Sequence, residues 1–467
     1  MSSKTESKET EKKSKVPHIY VILYTMIILG ALASYIIPQG AFDRETNESG
    51  QEVLQPGTFN LTDDSPVSVM DFIMSLAEGM IDSAEIIFGI LLIGGMFAVL
   101  EKAGLIQLGV YKLTTMFSKR VLWVIPTVMI PIALFTSFTG NAEMMLVYIP
   151  VIIPLALKMG FDRITAGGIV LVSVIPGFAV ALTAPANLGT AQDIAQVPLY
   201  SGMVYRIIIL AVMLLIGIWY VWRYAKKVYN DPTKSIVYGE EDDESAAENL
   251  EHQTATKRQI IASLLLIPAG IILLVGLIKY EWYFTELIGL YAAIGIIVGL
   301  VVGMKPSKIA ETFQEGFQNI LIGAIVVGLA RGIAVILENG NIMDTIIFGA
   351  EKLVTNVPSG FTAIIMLIVQ TGINFLINSG SGQALVTMPI MSGLADLTNV
   401  SQQTAVLAFL FGDGLSNIIY PTSGAFMATL ILGKIKWEKW VKFIFPLVLI
   451  WHGLAAVFLV IAELINY

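Results

Sequence analysis

Long apolar runs, separated by short polar segments, follow one another along most of the chain. Nine of these runs are long enough to cross a bilayer as helices, because a span needs about 20 apolar residues. They lie at about 19–38, 84–104, 164–192, 203–223, 258–278, 285–304, 316–338, 403–433 and 443–464. The pattern predicts an all-α polytopic membrane protein.

Two further apolar regions, 121–157 and 361–395, are each long enough for two helical arms. Small and polar residues interrupt both in the middle. These are Thr139, Gly140, Asn141 and Glu143 in the first, and Asn378, Ser379, Gly380, Ser381 and Gln383 in the second. Tips without Lys or Arg suit loops buried at membrane depth, where non-helical backbone is tolerated if it lines a protein cavity. We therefore expect two re-entrant hairpins; two full spans joined by a tight loop are the alternative.

Two of the spans contain a proline among small polar residues, which predicts broken helices. The break in 164–192 contains Thr183, Pro185 and Asn187, and the break in 403–433 contains Tyr420, Pro421, Thr422 and Ser423. Because these features occur in the same order in 19–225 and 279–467, the chain reads as two repeats. The extra span at 258–278 inverts the second repeat relative to the first. Inverted repeats with broken helices are typical of secondary transporters, whose substrate site lies at the breaks.

Composition and charge agree with a membrane protein. Hydrophobic residues make up 55% of the chain and charged residues 14%, against about 25% charged in soluble proteins. This excludes a soluble enzyme or a nucleic-acid binder. The absence of cysteine excludes disulfides, thiolate metal sites and thiol nucleophiles.

Lys and Arg favour one side of the predicted spans, which places the N-terminus in the cytoplasm and the protein in the cell membrane. Residues 1–18 are predicted to be a disordered cytoplasmic tail. The segment 226–257 is polar and contains the acidic run 240–244, so we expect a solvated cytoplasmic linker.

Ionisable residues inside predicted spans are the strongest functional candidates, because a charge at bilayer depth is costly. Glu143 lies at the first tip, and Asp413 lies in the second broken helix, near Ser416 and Asn417. An ordinary loop carboxylate is the alternative for Glu143. A structural ion pair with Arg331 is the alternative for Asp413. At such breaks, free carbonyls can bind a cation and helix N-termini can hold an anion.

Other classes of activity have no support in the sequence. There is no phosphate-binding G-x-x-x-x-G-K-[ST] loop, no metal-ligand cluster and no Ser-His-Asp arrangement. We therefore expect neither an enzyme nor a cofactor-dependent protein. The expected partners are a small-molecule substrate and the lipid bilayer, with transport driven by exchange or by a proton or sodium gradient. A channel is the rival class, since pores can also use such loops.

At the hairpins and broken helices the chain resembles the YfcC-type branch of the C4-dicarboxylate anaerobic carrier-like family, within the ion transporter superfamily. The resemblance covers 19–464 and rests on Thr139–Glu143, Thr183–Asn187, Asn378–Gln383 and 412–423. It implies an elevator-type carrier, commonly a homodimer. The YfcC-type branch is linked with basic amino acids, notably arginine and ornithine exchange, and the wider family includes dicarboxylate carriers. Where the superfamily often has Ser-Asn-Thr at the tips, this chain has Gly-Asn-Ala-Glu and Ser-Gly-Ser.

Two acidic candidates and only one arginine expected to be buried, Arg331, suit a substrate with a cationic side chain. Its α-carboxylate would lie at the hairpin N-termini and its cationic end near Glu143 or Asp413. In the alternative interpretation, Glu143 carries a proton and the substrate is neutral or anionic, as for a proton- or sodium-coupled C4-dicarboxylate carrier. Exchange, proton symport and sodium symport all remain compatible with the sequence.

Overall fold

Helices dominate the computed structural model, which describes residues 19–46, 52–239, 255–280, 282, 284–355, 361–398 and 400–467. The helices of the first part are α1 (Ile19–Ala33), α2 (Val69–Asp82), α3 (Ala84–Lys102), α4 (Leu105–Phe117), α5 (Val124–Thr139), α6 (Met145–Lys158), α7 (Arg163–Val180), α8 (Thr190–Ile194) and α9 (Met203–Asn230). Those of the second part are α10 (Lys257–Lys279), α11 (Phe284–Val302), α12 (Pro306–Asn339), α13 (Met343–Thr355), α14 (Thr362–Asn374), α15 (Gly380–Thr398), α16 (Gln402–Ser416), α17 (Gly424–Leu432) and α18 (Trp437–Leu464).

Within the described ranges, seven helices are long and apolar enough to cross a membrane. They are Ala84–Lys102, Val121–Thr139, Arg163–Ile194, Met203–Asn230, Thr285–Val302, Pro306–Asn339 and Trp437–Leu464. The helical, multi-span class predicted from the apolar runs is therefore confirmed.

The two predicted hairpin regions and the two predicted broken helices all contain interruptions. The segment 140–144 separates α5 from α6 and is called the first tip; 375–382, which includes the first turn of α15, is the second tip. The first break, 181–189, follows α7 and includes a short π-helix. The second break, 417–423, separates α16 from α17. Clusters of small polar residues thus marked where these helices stop, whereas isolated prolines such as Pro131, Pro176 and Pro446 lie inside continuous helices.

Several helices extend beyond the predicted spans. Helix α12 begins at Pro306, ten residues before its predicted start, and α9 continues to Asn230. Each predicted span is an apolar run and therefore ends near the charged side chains that flank it. Helical hydrogen bonding does not end there, since it is satisfied within the helix whether the surroundings are lipid or water.

The segment after α9 differs from the predicted solvated linker. The Ser235 hydroxyl and the Tyr224 hydroxyl both donate to the Asp162 carboxylate, at 2.6 and 2.7 Å. The Lys439 ammonium donates to the Ile236 carbonyl at 3.0 Å. The part of the linker up to residue 239 is therefore docked onto the start of α7 and α18. The acidic run 240–244 and the predicted tail 1–18 lie outside the described residues.

The region 39–83, predicted only as an external loop, contains ordered elements. Strand β1 (Gly40–Ala41) pairs antiparallel with β4 (Asn60–Leu61), and β2 (Arg44–Thr46) with β3 (Glu52–Leu54). Helix α2 begins with a capping box in which Ser68 and Asp71 bond each other's backbone amides. The strands contact the rest of the protein through β3, which packs against α15, and through β1, which packs against α13.

Helix packing centres on three helices. Helix α12 packs against α1, α2, α3 and α17; α7 packs against α5, α6, α9 and α16; and α16 packs against α14, α15 and α18. Close approach depends on glycine at several of these contacts. A Cβ atom at Gly316 of α12 would lie 2.5 Å from the Gly94 carbonyl oxygen of α3, and one at Gly414 would lie 2.4 Å from Ala179 of α7. Small residues at such contacts let helix backbones touch.

We expect Gly316→Ala to lower thermal stability, because its methyl group would push α12 away from α3. An overpacked contact of this kind costs about 1–3 kcal/mol. The measurement is thermal unfolding of the purified protein in detergent. Gly453→Ala in α18 is the matched control, since nothing lies within 4 Å of its Cβ position. Equal melting temperatures for the two variants would contradict the proposed backbone contact.

Candidate functional site

A cavity of about 1000 Å³, here called the central cavity, lies where the two tips and the two breaks meet. Gly140 and Glu143 of the first tip line it, together with Asn187 of the first break. The second tip contributes Asn378, Ser379, Gly380, Ser381 and Gly382, and the second break contributes Thr422. The structure therefore brings all four interrupted segments to one place.

Hydrogen bonds connect the first break to the helix that precedes the first tip. The backbone amides of Leu182 and Thr183 both donate to the Ser137 carbonyl, at 2.5 and 3.3 Å. The Thr183 hydroxyl donates to the Phe138 carbonyl at 3.0 Å. A Cβ atom at Gly140 would lie 2.5 Å from the Ala184 methyl group, so the tip and the break are in direct contact.

Arg206 of α9 holds the carbonyl groups that α7 leaves free at the first break. Its guanidinium donates to the carbonyls of Ala181 and Leu182, at 2.8 and 3.5 Å, and to those of Tyr200 and Ser201. Only 1% of Arg206 is exposed. The expectation of a single buried arginine is wrong, because it overlooked this residue. The signal was present in the sequence, since Arg206 interrupts an otherwise uncharged run.

A cluster of amides joins the second tip to the second broken helix. The Asn374 side-chain amide donates to the Asp413 carbonyl (2.7 Å), the Ser416 hydroxyl (2.6 Å) and the Asn417 side chain (2.9 Å). Asn378 donates to the same Asn417 oxygen. Sequence reasoning missed Asn374, because a single amide does not interrupt the apolar pattern of 361–395.

Two tryptophans of α18 donate hydrogen bonds to free carbonyls of the second break, as Arg206 does at the first break. The indole N–H groups of Trp437 and Trp440 donate to the carbonyls of Ile419 and Ile418, at 3.0 and 2.9 Å. The other residues of the predicted set lie outside the cavity lining, some in the tips and breaks and some in the adjoining helix turns. They are Thr139, Asn141, Thr183, Pro185, Gln383, Asp413, Ser416, Asn417 and Ser423.

The two acidic candidates, Glu143 and Asp413, lie in different environments. Glu143 is half-buried and lines the central cavity, and no Lys or Arg of the described ranges lies within ion-pair distance of it. Asp413 is fully buried and lies outside the lining. The suggested pair between Asp413 and Arg331 is absent. Arg331 instead bonds Asp82 at 3.1 Å and approaches Glu338 at 3.6 Å.

The wall opposite the tips is charged, which the sequence did not predict. Arg44 lies there, paired with Asp344 at 2.9 Å, as does Arg331 with its two acids. In the whole lining, five acidic side chains face two arginines; the acids are Glu52, Asp82, Glu143, Glu338 and Asp344. The cavity is therefore acidic. No group of three or more metal-binding side chains occurs among the residues that the structure describes.

Comparison with known proteins matches the chain to a transporter family. Residues 16–464 match the sequence profile of the family described as C4-dicarboxylate anaerobic carrier (DcuC). The chain belongs to this family. It is therefore a membrane-embedded transporter, which confirms the resemblance drawn from the hairpins and breaks.

Two relatives extend over nearly the whole chain. The "Putative basic amino acid antiporter YfcC" of Escherichia coli (strain K12) is 29% identical, with all of both chains covered. An uncharacterized protein of Haemophilus influenzae (strain ATCC 51907 / DSM 11121 / KW20 / Rd) is 24% identical, with 95% of this chain and 96% of the relative covered.

Two solved structures are also similar. The YdaH transporter of Alcanivorax borkumensis has a TM-score of 0.43 and 16% identity, covering 97% of this chain and 99% of its own. MtrF of Neisseria gonorrhoeae, whose structure is described as illuminating a class of antimetabolite efflux pumps, has a TM-score of 0.44 and 17% identity, covering 96% and 95%.

We expect Asn374→Ala to destabilise this DcuC-family protein, because it removes the donor of the buried Asp413 carbonyl and Ser416 hydroxyl oxygens and one of the two donors of the Asn417 side chain. Each unsatisfied buried group costs about 1–3 kcal/mol. The variant should therefore unfold at a clearly lower temperature than the wild type. Thr371→Val is the matched control, since the Thr371 hydroxyl bonds only the Leu367 carbonyl of its own helix. A melting temperature no lower than that of Thr371→Val would show that the Asn374 cluster does not join the tip to the broken helix.

Proposed function

We propose that this protein is a secondary carrier that exchanges basic amino acids of the arginine and ornithine type across the cell membrane. The observation that carries this proposal is the central cavity, which is acidic and lies where four interrupted segments meet. A dicarboxylate in this cavity would face five acidic side chains, and both arginines of the lining are already paired with acids. The printed name of the Escherichia coli relative supports the same substrate class.

Glu143 is the proposed partner of the substrate's cationic end. It faces the cavity, and the described part of the chain offers it no ion pair. An unpaired charge at membrane depth is costly, so a cationic ligand would stabilise it.

The N-terminal turn of α15 is the proposed partner of the substrate's α-carboxylate. Gly380, Ser381 and Gly382 of that turn line the same cavity. The amide groups at a helix N-terminus, together with the helix dipole, favour an anion. One zwitterionic head and one cationic side chain would thus be held by opposite ends of the site.

Movement is proposed to follow the elevator scheme, with two inverted repeats at 19–225 and 279–467. The first break is bonded to the end of α5 and the second break to Asn374 of α14, so each tip and its break form one bonded unit. The charged wall of the cavity comes from α2, α12, α13 and strands β2 and β3. The tips and breaks would carry substrate past this wall. A homodimer with cytoplasmic N-termini is part of the proposal.

We expect Glu143→Gln to weaken binding of arginine and ornithine about tenfold or more, because a charge-assisted bond is worth about 1.5–3 kcal/mol. The measurement is the substrate-induced rise in melting temperature, followed by counterflow of labelled arginine in proteoliposomes. Glu315→Gln is the control, since Glu315 is exposed and pairs with Lys102 outside the cavity. Unchanged arginine affinity in Glu143→Gln, or wild-type uptake of succinate but not arginine, would refute the proposed substrate.

A second experiment tests the re-entrant tips. The chain has no cysteine, so Asn141→Cys and Ser381→Cys each introduce a unique label site. We expect a large impermeant thiol reagent to label both poorly from either side of the membrane. Small reagents should reach them, more slowly with substrate bound. Rapid labelling of Asn141→Cys by the large reagent would mean two full spans instead.

A further inference from the structure

Asp413 is a carboxylate without a partner in the interior of the protein. The residue is 0% exposed, and neither of its carboxylate oxygens has a hydrogen-bond partner. Its backbone carbonyl is bonded to Asn374, so the side chain alone is unsatisfied. Buried polar groups are almost always hydrogen-bonded, which makes this carboxylate an exception that needs an explanation.

The Asp413 carboxylate lies where the second tip meets the first break. A Cβ atom built on Gly380 would lie 3.3 Å from Asp413 Oδ2, 3.0 Å from the Asn187 Cβ and 3.2 Å from the Phe178 ring. Gly380, Asn187 and Phe178 line the central cavity, whereas Asp413 does not. The carboxylate thus lies directly behind residues of the cavity wall, one of which is a glycine.

The helices around α16 bring no cation to Asp413. Helix α14 contains no charged residue, and the charged residue of α7, Arg163, is its first. Asp396 of α15 and Asp193 of α8 are exposed acids. The acidic group whose charge acts on Asp413 is Glu143, which repels it.

Helix α18 does not supply a cation either. Its charged residues lie in its first two turns and its last turn, and His452 bonds the Val448 carbonyl of its own helix. An ionised Asp413 would therefore be a buried charge without a cationic partner, and the charge of Glu143 would repel it. Such a charge costs several kcal/mol.

A metal ion fits this carboxylate poorly. Hard cations are held by several oxygen ligands, and Asp413 belongs to no group of three or more His, Cys, Asp or Glu side chains within the described residues. The nearby oxygens of Ser416 and Asn417 already face the Asn374 amide, a donor. A proton needs no such cage, since it binds one oxygen covalently.

We propose that Asp413 holds a proton in this conformation and is the site of the coupling proton, separate from the substrate site at Glu143. When the second tip moves away from the first break, the carboxyl group gives its proton to water of the central cavity, leaving a carboxylate and a hydronium ion. The reverse step reloads it. The transport part of this proposal rests on the proposed function, whereas the protonation state does not.

The protonation state is tested by infrared spectroscopy of the purified protein without substrate. At neutral pH the difference spectrum of wild type minus Asp413→Asn should contain the carbonyl-stretch band of a protonated carboxyl group. The band should persist in Glu143→Gln and shift in Asp413→Glu, which also covers the case that Asp413→Asn fails to fold. Two results would overturn the proposal. One is absence of the band from the wild type. The other is a band that disappears in Glu143→Gln but remains in Asp413→Asn, because such a band would belong to Glu143.

The coupling role is tested in proteoliposomes with labelled arginine. We expect an imposed pH gradient to drive accumulation in the wild type and in the exposed control Asp193→Asn. Asp413→Asn should lose this stimulation yet retain counterflow between arginine-loaded compartments. Gradient-driven accumulation by Asp413→Asn, or accumulation that requires sodium in the wild type, would refute the role. Absence of arginine transport in the wild type would refute the proposed substrate, and the infrared result would still decide the protonation state.

Discussion

Backbone groups released by an interrupted helix must find partners inside the protein, and the rest of this structure depends on that constraint. Lipid offers no hydrogen bonds, so a break at membrane depth is stable only when other residues satisfy it. Arg206 does so for the carbonyls after α7, and Trp437 and Trp440 do so for those after α16. Asn374 supplies the donor for the Asp413 carbonyl. These bonds fix the shape of the cavity, because they fix the segments that line it.

In both halves of the chain, side-chain donors satisfy the free backbone carbonyls of the break, but the residue types differ. In each half, the helix that follows the break provides the donors: α9 carries Arg206, and α18 carries the two tryptophans. In each half, the break is also bonded to the arm that precedes the tip, through Ser137 in one and Asn374 in the other. Guanidinium and indole differ in charge, yet both donate N–H groups to free carbonyls. This arrangement supports the proposed internal repeat.

Sequence reasoning succeeded where the signal was local. Apolar runs gave the spans, and proline or glycine clustered with small polar residues gave the tips and breaks, because such clusters disfavour a continuous helix. It failed where a role depends on distant partners. The pairing of Arg44 with Asp344 joins residues 300 positions apart, so no local pattern could place Arg44 in the cavity. In the sequence, Asp413 and Glu143 are both carboxylates in apolar segments. The sequence did not show that Asp413 is fully buried whereas Glu143 lines the cavity. Arg206 could have been found, since a lone charge in an apolar run signals a buried partner.

The excess of acidic groups around the central cavity has a kinetic consequence. Five carboxylates outnumber two guanidinium groups in the lining, and low-dielectric walls focus the resulting negative field, so cations are concentrated at the entrance before any of them binds. This enrichment acts on inorganic cations as well as on organic ones. Its range is a Debye length, about 8 Å at physiological ionic strength and about 30 Å at 0.01 M. The capture rate of a cationic solute would therefore fall as salt is added, while the rate of a neutral solute of the same size would not.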